Sequence, residues 1–534
     1  MSHKGALHIF LRRASQTLTL ARIMLCLIIG ALLLASIGCA TSNYTPFVGA
    51  VVATQHPLVA QYSITHFNSG FSAWVEFGTD TNYGRQTSVV NDTVSIAGGV
   101  MMNIFVAGML PQKTYHMRAH VDSPTGPWVD QDHTFTTGAL PAGTPGASSP
   151  PPFPAITVTQ PTSGLTPAPG VELLALTSPT AQAVVVDLQG NVIWYCPGTA
   201  EPVKPMDNGH FIIVGPTDLQ EVDLTCKVLR DVSLDQVNQS LQSQGYSFTV
   251  PPPLGLIGGN PFHHDVVVLP NGHWIALCQI AKTFTDLAGY PGTTNVVGDA
   301  LIDIDPNGNV VWAWSSFEHL DVHRYPYFGL PDWTHSNAIV YTADGNLLLS
   351  MRHQSWILKI DYANGTGSGN VLWTLGKDGD FTLLAGDSSQ WFYAQHYPYI
   401  LSVDGSKTTL AVYDDGNFRI GSDGVTCGPP PAPPCYTRAT IFEVDESNYL
   451  ATLAWQYLPG FFSFWGGSIN SLSNGDIEFD NSAPSNFAGS SILEVTQTDS
   501  PQVVWEMDIA GGAGVGAYRG YRIPSLYPGV TWQK

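Results

Sequence analysis

Charge is scarce in this chain and mostly of one sign: charged residues make up 12% of 534, with 21 Lys and Arg against 42 Asp and Glu. There is no basic run, and an acidic surface repels phosphate backbones, so a nucleic-acid partner is excluded. Only one long apolar run occurs, Ile23 to Ile37, shorter than the roughly 20 residues a spanning helix needs. Several signatures of chemistry are missing too. Without His-Glu-x-x-His or Cys-x-x-Cys there is no compact metal-holding motif. Without Gly-x-Ser-x-Gly or Gly-x-Gly-x-x-Gly, serine-hydrolase and dinucleotide readings lack support. No vicinal cysteine pair or evident calcium cluster supports a quinone-cofactor dehydrogenase. What is abundant is Gly (53), Pro (39) and aromatic residues (11%), a mixture suited to many short strands joined by tight turns.

Lys4, Arg12, Arg13 and Arg22 precede or border the apolar run, which closes on Ala35-Ser36-Ile37-Gly38-Cys39. That order is an export signal, and the Cys after Gly38 makes it the lipoprotein type. Residues 1–38 are then removed, Cys39 carries the lipid, and the protein sits in the periplasm or cell envelope on a membrane. Ordinary cleavage or an uncleaved anchor is the other reading of the same residues. An oxidising compartment suits a disulfide between Cys427 and Cys435 across a Pro-rich loop. Cys196 and Cys226 are either a second bridge or two buried thiols. Cys278, inside Trp274-Ile-Ala-Leu-Cys278, is expected to be a packed thiol.

Residues 39–138 read as a small β-sandwich domain. Gln61 to Ile64, Ala73 to Phe77 and Thr114 to His120 alternate apolar and polar positions as half-buried strands do. The Phe77 to Gly84 stretch, the Leu110 to Tyr115 turn and the closing Phe135-Thr-Thr-Gly138 resemble a fibronectin type III-like sandwich. A Pro/Gly/Ser linker spans 139–155. From 156 to 534 one unit recurs: an apolar strand, an Asx-Gly turn, a second strand, then an outer pair ending on an aromatic. The turns are Asn208-Gly209, Asn271-Gly272, Asp344-Gly345, Asp404-Gly405 and Asn474-Gly475, each expected to place both central residues at positive φ. The half unit Ala183 to Trp194 needs inner strands, which Val171 to Ala175 and the C-terminal Tyr521 to Tyr527 can supply. The fold class is therefore all-β, a six-bladed β-propeller behind a small sandwich.

In three units a His stands just before the innermost strand: His264, His335 and His396, which precede their turn glycines by 8, 10 and 9 residues. Innermost strands line a propeller channel, so the three imidazoles should converge at one mouth. His263 is ambiguous by one residue of register. Asn337 lies two residues past His335 on the same strand face. Arg352, in Ser350-Met-Arg-His-Gln354, ends the strand after it, with His353 and Gln354 pointing away. A guanidinium beside neutral imidazoles makes an oxyanion site, since its planar fork matches two oxygens. No metal is expected.

Phe262-His-His-Asp-Val-Val-Val-Leu-Pro-Asn-Gly272, Asp332-Trp-Thr-His-Ser-Asn-Ala338, Ser350-Met-Arg-His-Gln354, Gln395-His396 and Tyr518-Arg519 resemble the bacterial arylsulfate sulfotransferases over roughly residues 170–527. The resemblance implies an exported propeller that moves a sulfuryl group from a phenolic sulfate to a phenol without a nucleotide donor or cofactor. It makes His396 the nucleophile, with His264 and His335 sharing acid-base work. Arg352, Asn337 and His263 lie around the sulfuryl group. Tyr397, Trp333 and Trp465 are candidates to hold the aryl ring. The family often has an acid after the nucleophilic His, where this chain has Tyr397, so the residue that orients His396 stays open. A second sulfate contact also stays open between Ser468 and Asn470. A homodimer is allowed. The alternative is a non-enzymatic propeller lipoprotein that scaffolds envelope partners, which would leave the His, Asn and Arg unexplained.

Overall fold

The computed structural model describes residues 47–533 apart from 67–69, 92–94, 97–98, 143–152, 178–180, 199–202, 255–259, 483–487 and 514–515. The signal segment, Cys26 and Cys39 lie outside the described residues. The N-terminal part is two facing sheets. One runs Val48–Ala53, Ala60–His66, Gly99–Val106 and Ser95–Ile96; the other centres on Thr114–Asp122 and Ser72–Gly78. Ala60–His66 alternates buried and half-exposed side chains residue by residue, the period-2 pattern of a sheet with one face on a core. That core is continuous with the C-terminal tail. Trp532 packs edge-on to Phe77, ring centroids 5.9 Å apart. Its indole also lies where a Cβ on Gly108, at φ 91°, would sit 2.2 Å from it, so only glycine lets the tail dock.

Six sheets follow among the described residues, antiparallel except that the short Thr382–Leu383 strand joins Leu450–Tyr457 in parallel. Their innermost strands are β1 (Val203–Pro205), β2 (Phe262–Val268), β3 (Ser336–Tyr341), β4 (His396–Asp404), β5 (Ser468–Ser471) and β6 (Ala517–Ile523). The sheet containing β6 is completed by Val171–Leu176, Gln182–Val186 and Val192–Pro197, so the C-terminus supplies the inner strand of the first sheet, as the half unit required. β2 packs on β3, β3 on β4, β4 on β5 and β5 on β6, the radial arrangement of a propeller.

The aromatic ends of the outer strands tie each sheet to the next. Trp194 Nε1 donates to Leu224 O at 2.8 Å, Trp314 to Gly369 O at 2.9 Å, Trp373 to Glu446 Oε2 at 3.0 Å, Trp455 to Thr498 O at 3.0 Å, and Trp505 to Leu188 O at 3.0 Å. At the remaining junction an arginine makes the bond: Arg230 donates to Asp305 O at 2.5 Å and lies 3.6 Å over the Trp274 ring. The Trp505 bond joins the last sheet to the first and closes the ring.

The Asx-Gly turns differ from expectation. Gly209, Gly272, Gly345 and Gly475 have φ between 80° and 88°, but the residue before each does not. Gly272 N bonds Leu269 O while Leu269 N bonds His273 O, and the other three repeat this. These are type I turns followed by a left-handed glycine, and the Asn or Asp side chain caps the turn, as Asn271 Oδ1 does for His273 N. Both disulfides form: Cys427–Cys435 and Cys196–Cys226, with Cα separations of 5.1 and 5.7 Å. Cys278 is a buried free thiol.

Candidate active site at the channel mouth

The strands that carry the histidines all start irregularly. Pairing slips between Phe262 and Val266, between Ser336 and Ala338, and between His396 and Tyr399. His264, His335 and Tyr397 take φ of 59°, 45° and 43° there. A bulge with a left-handed residue turns the local side chains out of the pleat, at a cost of about 1–2 kcal/mol per non-glycine residue. The same device in three blades aims three imidazoles at one point. His264 and His335 meet edge to face at 4.9 Å, and Tyr518 from β6 stands edge-on to both His264 (5.4 Å) and His396 (6.1 Å).

His396 is the most constrained of them. Its Nδ1 lies 2.6 Å from Asp415 Oδ2, and Gly466 N–H donates to its Nε2 at 3.2 Å. Since a backbone N–H can only donate, Nε2 carries the lone pair and Nδ1 the proton that Asp415 accepts. Burial, with the Arg352 charge and neighbouring His335 next in weight, holds the His396 pKa well below the ordinary histidine value, so the ring stays neutral. Burial also pushes the Asp415 carboxyl well up, opposed by Arg352.

Asp415 answers the orienting partner left open by the sequence. It follows the strand Lys407–Asp414 in Asp414-Asp415-Gly416, a string that reads as turn chemistry and so concealed it. Its neighbours hold it rigidly. Asp414 accepts from Arg419 and Arg438 at 2.7 Å each, and Thr437 Oγ1 donates to Asp415 O at 2.9 Å. Gly416, at φ 82°, passes so close to Tyr436 O that a Cβ would lie 2.0 Å from it.

Arg352 lies inside this group. Its Nη1 contacts His353 Nε2 at 3.0 Å, its Nη2 donates to Phe464 O at 2.8 Å, and its guanidinium sits 4.5 Å over Phe328. His353 therefore does not point away from Arg352, as the strand alternation suggested. The strand ends at Met351, and the turn beyond it swings His353 inward to stack on His335 at 4.5 Å. Gln354 does leave the site, donating to Trp333 O at 2.6 Å.

His263 and His264 share one proton between Nδ1 atoms 2.7 Å apart, and His263 Nε2 lies 3.4 Å from Asp299. Asn337 faces protein: its Nδ2 donates to Gln395 O at 2.8 Å, bracing the backbone beside His396. Its Oδ1 is buried with no partner among the described residues. Tyr397 lies on the far side of the histidines, under the Arg519 guanidinium at 4.3 Å and stacked on Tyr521. Trp333 is packed in a separate cluster, stacked on Phe317 at 5.4 Å, and does not face the group. Trp465 does, stacking on Tyr518. Ser468 Oγ is bonded to Gly520 O and Asn470 Nδ2 to Glu478.

Among the described residues, Asp332, His335 and His353 could together hold a metal ion. Their hydrogen bonding accounts for them without one. His335 Nδ1 meets Asp332 Oδ2 at 2.6 Å, and His353 Nδ1 donates to Asp332 O at 2.8 Å while its Nε2 faces Arg352. A metal on His353 Nδ1 would turn an N–H toward the guanidinium.

The arrangement offers a neutral imidazole whose Nε2 carries a lone pair that accepts from Gly466 N–H, a carboxyl group behind it, further imidazoles for proton transfer, and a guanidinium fork suited to an oxyanion. The arylsulfotransferase (ASST) family model matches residues 166–522. No curated protein matches the chain. Among solved structures, a protein of unknown function from Bacteroides caccae is similar at 9% identity and a TM-score of 0.37, covering 66% of this chain and 98% of its own. A streptogramin B lyase is similar at 12% identity and 0.31 (65% and 87%), and a Lactobacillus plantarum protein at 10% and 0.35 (64% and 82%).

Proposed function

The chain belongs to the arylsulfotransferase family, and from that premise we propose that it passes a sulfuryl group from a phenolic sulfate ester to a phenol in two steps through His396. The observation that carries this is the paired bonding of one imidazole, Nδ1–H to Asp415 and the Nε2 lone pair accepting from Gly466 N–H, which leaves Nε2 as the nucleophilic nitrogen. Nε2 attacks sulfur in line, the N–S bond forms as the S–O bond to the aryl group breaks, and the phenolate leaves. The imidazolium charge that develops is met by Asp415. An aryl sulfate already carries a good leaving group, so no nucleotide donor is needed. In the second step the acceptor phenol, giving up its proton, attacks sulfur and releases His396. Covalent catalysis of this kind divides one displacement into two.

Arg352 is the group suited to the sulfuryl oxygens. His264 and His335, touching each other beside His396, are suited to protonate the departing phenolate and deprotonate the acceptor. Burial and the neighbouring His263 hold His264 well below its ordinary pKa, so the ring is neutral at neutral pH. The same reading puts the protein in the cell envelope on a lipid at Cys39, and Cys39→Ala should release it from the membrane fraction. The direct test of function is a chromogenic aryl sulfate with and without added phenol and no other cofactor. Cleavage that depends on phenol is expected, and no turnover under any condition would favour the scaffold.

A further inference from the structure

Two groups that the proposed reaction needs are both bonded to one loop. The loop 458–467 leads from the strand Leu450–Tyr457 into β5. Its Phe464 carbonyl accepts from Arg352 Nη2, and two residues on its Gly466 N–H donates to His396 Nε2. Sulfur requires that lone pair, and the Phe464 carbonyl takes up one of the Arg352 donors suited to a sulfuryl oxygen. One nitrogen lone pair cannot serve both, so the loop and the sulfuryl group exclude each other. Access points the same way, since His396 is 1% exposed and Arg352 5%. An aryl ester cannot reach either without displacing something.

We propose that the segment from Phe464 to Gly467 is a gate whose backbone imitates the substrate's contacts and which the aryl sulfate displaces as it binds. This rests on the sulfuryl-transfer reading. The loop combines a fixed anchor with a pliable end. It is anchored upstream by Ser463 N to Thr437 Oγ1 at 2.7 Å, on the threonine that also holds Asp415. Beyond that anchor come Gly466 and Gly467 at φ 73° and 110°, two residues able to absorb a backbone rotation. Contacts that hold the closed position include Gly467 N to Tyr518 O at 2.9 Å, the Phe464 ring edge-on to Phe328 at 6.3 Å and 5.7 Å from the Arg352 guanidinium, and Trp465 stacked on Tyr518 at 6.2 Å. Displacement frees the Gly466 N–H close to where sulfuryl oxygens gather, and exposes Trp465 and Phe328 as a surface for an aryl ring. The gate thereby couples recognition of the ring to release of the nucleophile.

The test uses the whole protein and phenylmethanesulfonate, in which a CH2 replaces the ester oxygen so that no transfer occurs. Hydrogen exchange of peptides covering 459–467 should rise several-fold on binding, while the strand Arg438–Asp445 stays unchanged. Phe464→Ala keeps both backbone groups but loosens the closed position. Because a ligand that binds only the open form gains apparent affinity when that form is more populated, its inhibition constant for phenylmethanesulfonate should fall about 2- to 10-fold. Competitive inhibition with unchanged exchange at 459–467, or a Phe464→Ala inhibition constant that is unchanged or higher, overturns the gate while sulfuryl transfer stands. A wild-type protein that never cleaves 4-nitrophenyl sulfate overturns the transfer reading and the gate with it.

Discussion

Asp415 Oδ2 and His396 Nδ1 lie 2.6 Å apart, in a pair whose side chains are 0% and 1% exposed, although 19 residues separate them in the chain. The pair fixes which nitrogen of His396 faces the site, and so decides whether that imidazole can act as a nucleophile. Asp415→Asn should lower kcat by about 10²–10⁴, because an amide can present N–H to Nδ1 and move the proton to Nε2. Donor half-saturation and the melting temperature should change little. Near-normal turnover would show that the carboxylate does not set the tautomer.

His396→Asn should abolish the burst of phenol that wild-type protein gives when acceptor is withheld. It should also remove the mass gain of one sulfuryl unit from the peptide containing residue 396. Two-step transfer gives parallel double-reciprocal lines. A label on His264 or His335 would move the nucleophile, and sequential kinetics with no labelled peptide would favour direct transfer.

Arg352→Lys should be nearly as damaging as Arg352→Ala, with kcat lower by about 10²–10³ in both. The guanidinium bonds His353 and Phe464 O from two separate nitrogens, and an ammonium cannot reproduce that fork. An active Arg352→Lys enzyme would reduce the residue to background charge.

Stability and activity should respond differently to acid. Burial holds His264, His353 and His396 well below the ordinary histidine value. The unfolded chain takes up these protons near pH 6.5, while the native protein resists until lower pH. Their contribution is therefore fully present above about pH 6.5 and falls as pH drops, by up to about 1.4 kcal/mol per unit for each ring. His396 attacks in its neutral form, which burial preserves to lower pH, so the limb of kcat/KM that its protonation sets should lie below pH 6.5. Calorimetry and donor cleavage between pH 4.5 and 8 check both. A melting temperature flat down to pH 5, or activity already lost at pH 7, contradicts this.

Much of the fold was legible because it repeats. Asx-Gly turns, aromatic strand ends and a C-terminal segment lacking partners of its own are local signals. They placed His264, His335 and His396 at matching strand starts, and the sandwich alternation was equally readable. The turn type was misjudged because Asn-Gly and Asp-Gly suit two hairpin geometries, and only the strand register chooses between them. His353 was misdirected because period-2 reasoning stops where the strand ends at Met351, and Trp333 because an aromatic beside a key His is not thereby in the site.

What the sequence alone determined was an all-β repeating chain, and the residue types that gather at one end of its channel. Those follow from hydrophobic period and turn chemistry, which act over a few residues. The tertiary structure alone decided which carboxylate stands behind His396, which nitrogen of that ring carries the lone pair, and what already occupies Arg352. Each depends on contacts between residues distant in the chain, Asp415 with His396 across 19 residues within one blade and Phe464 with Arg352 across 112 between blades. A one-residue bulge redirects such side chains, and no local pattern encodes where the next strand or blade will place their partners.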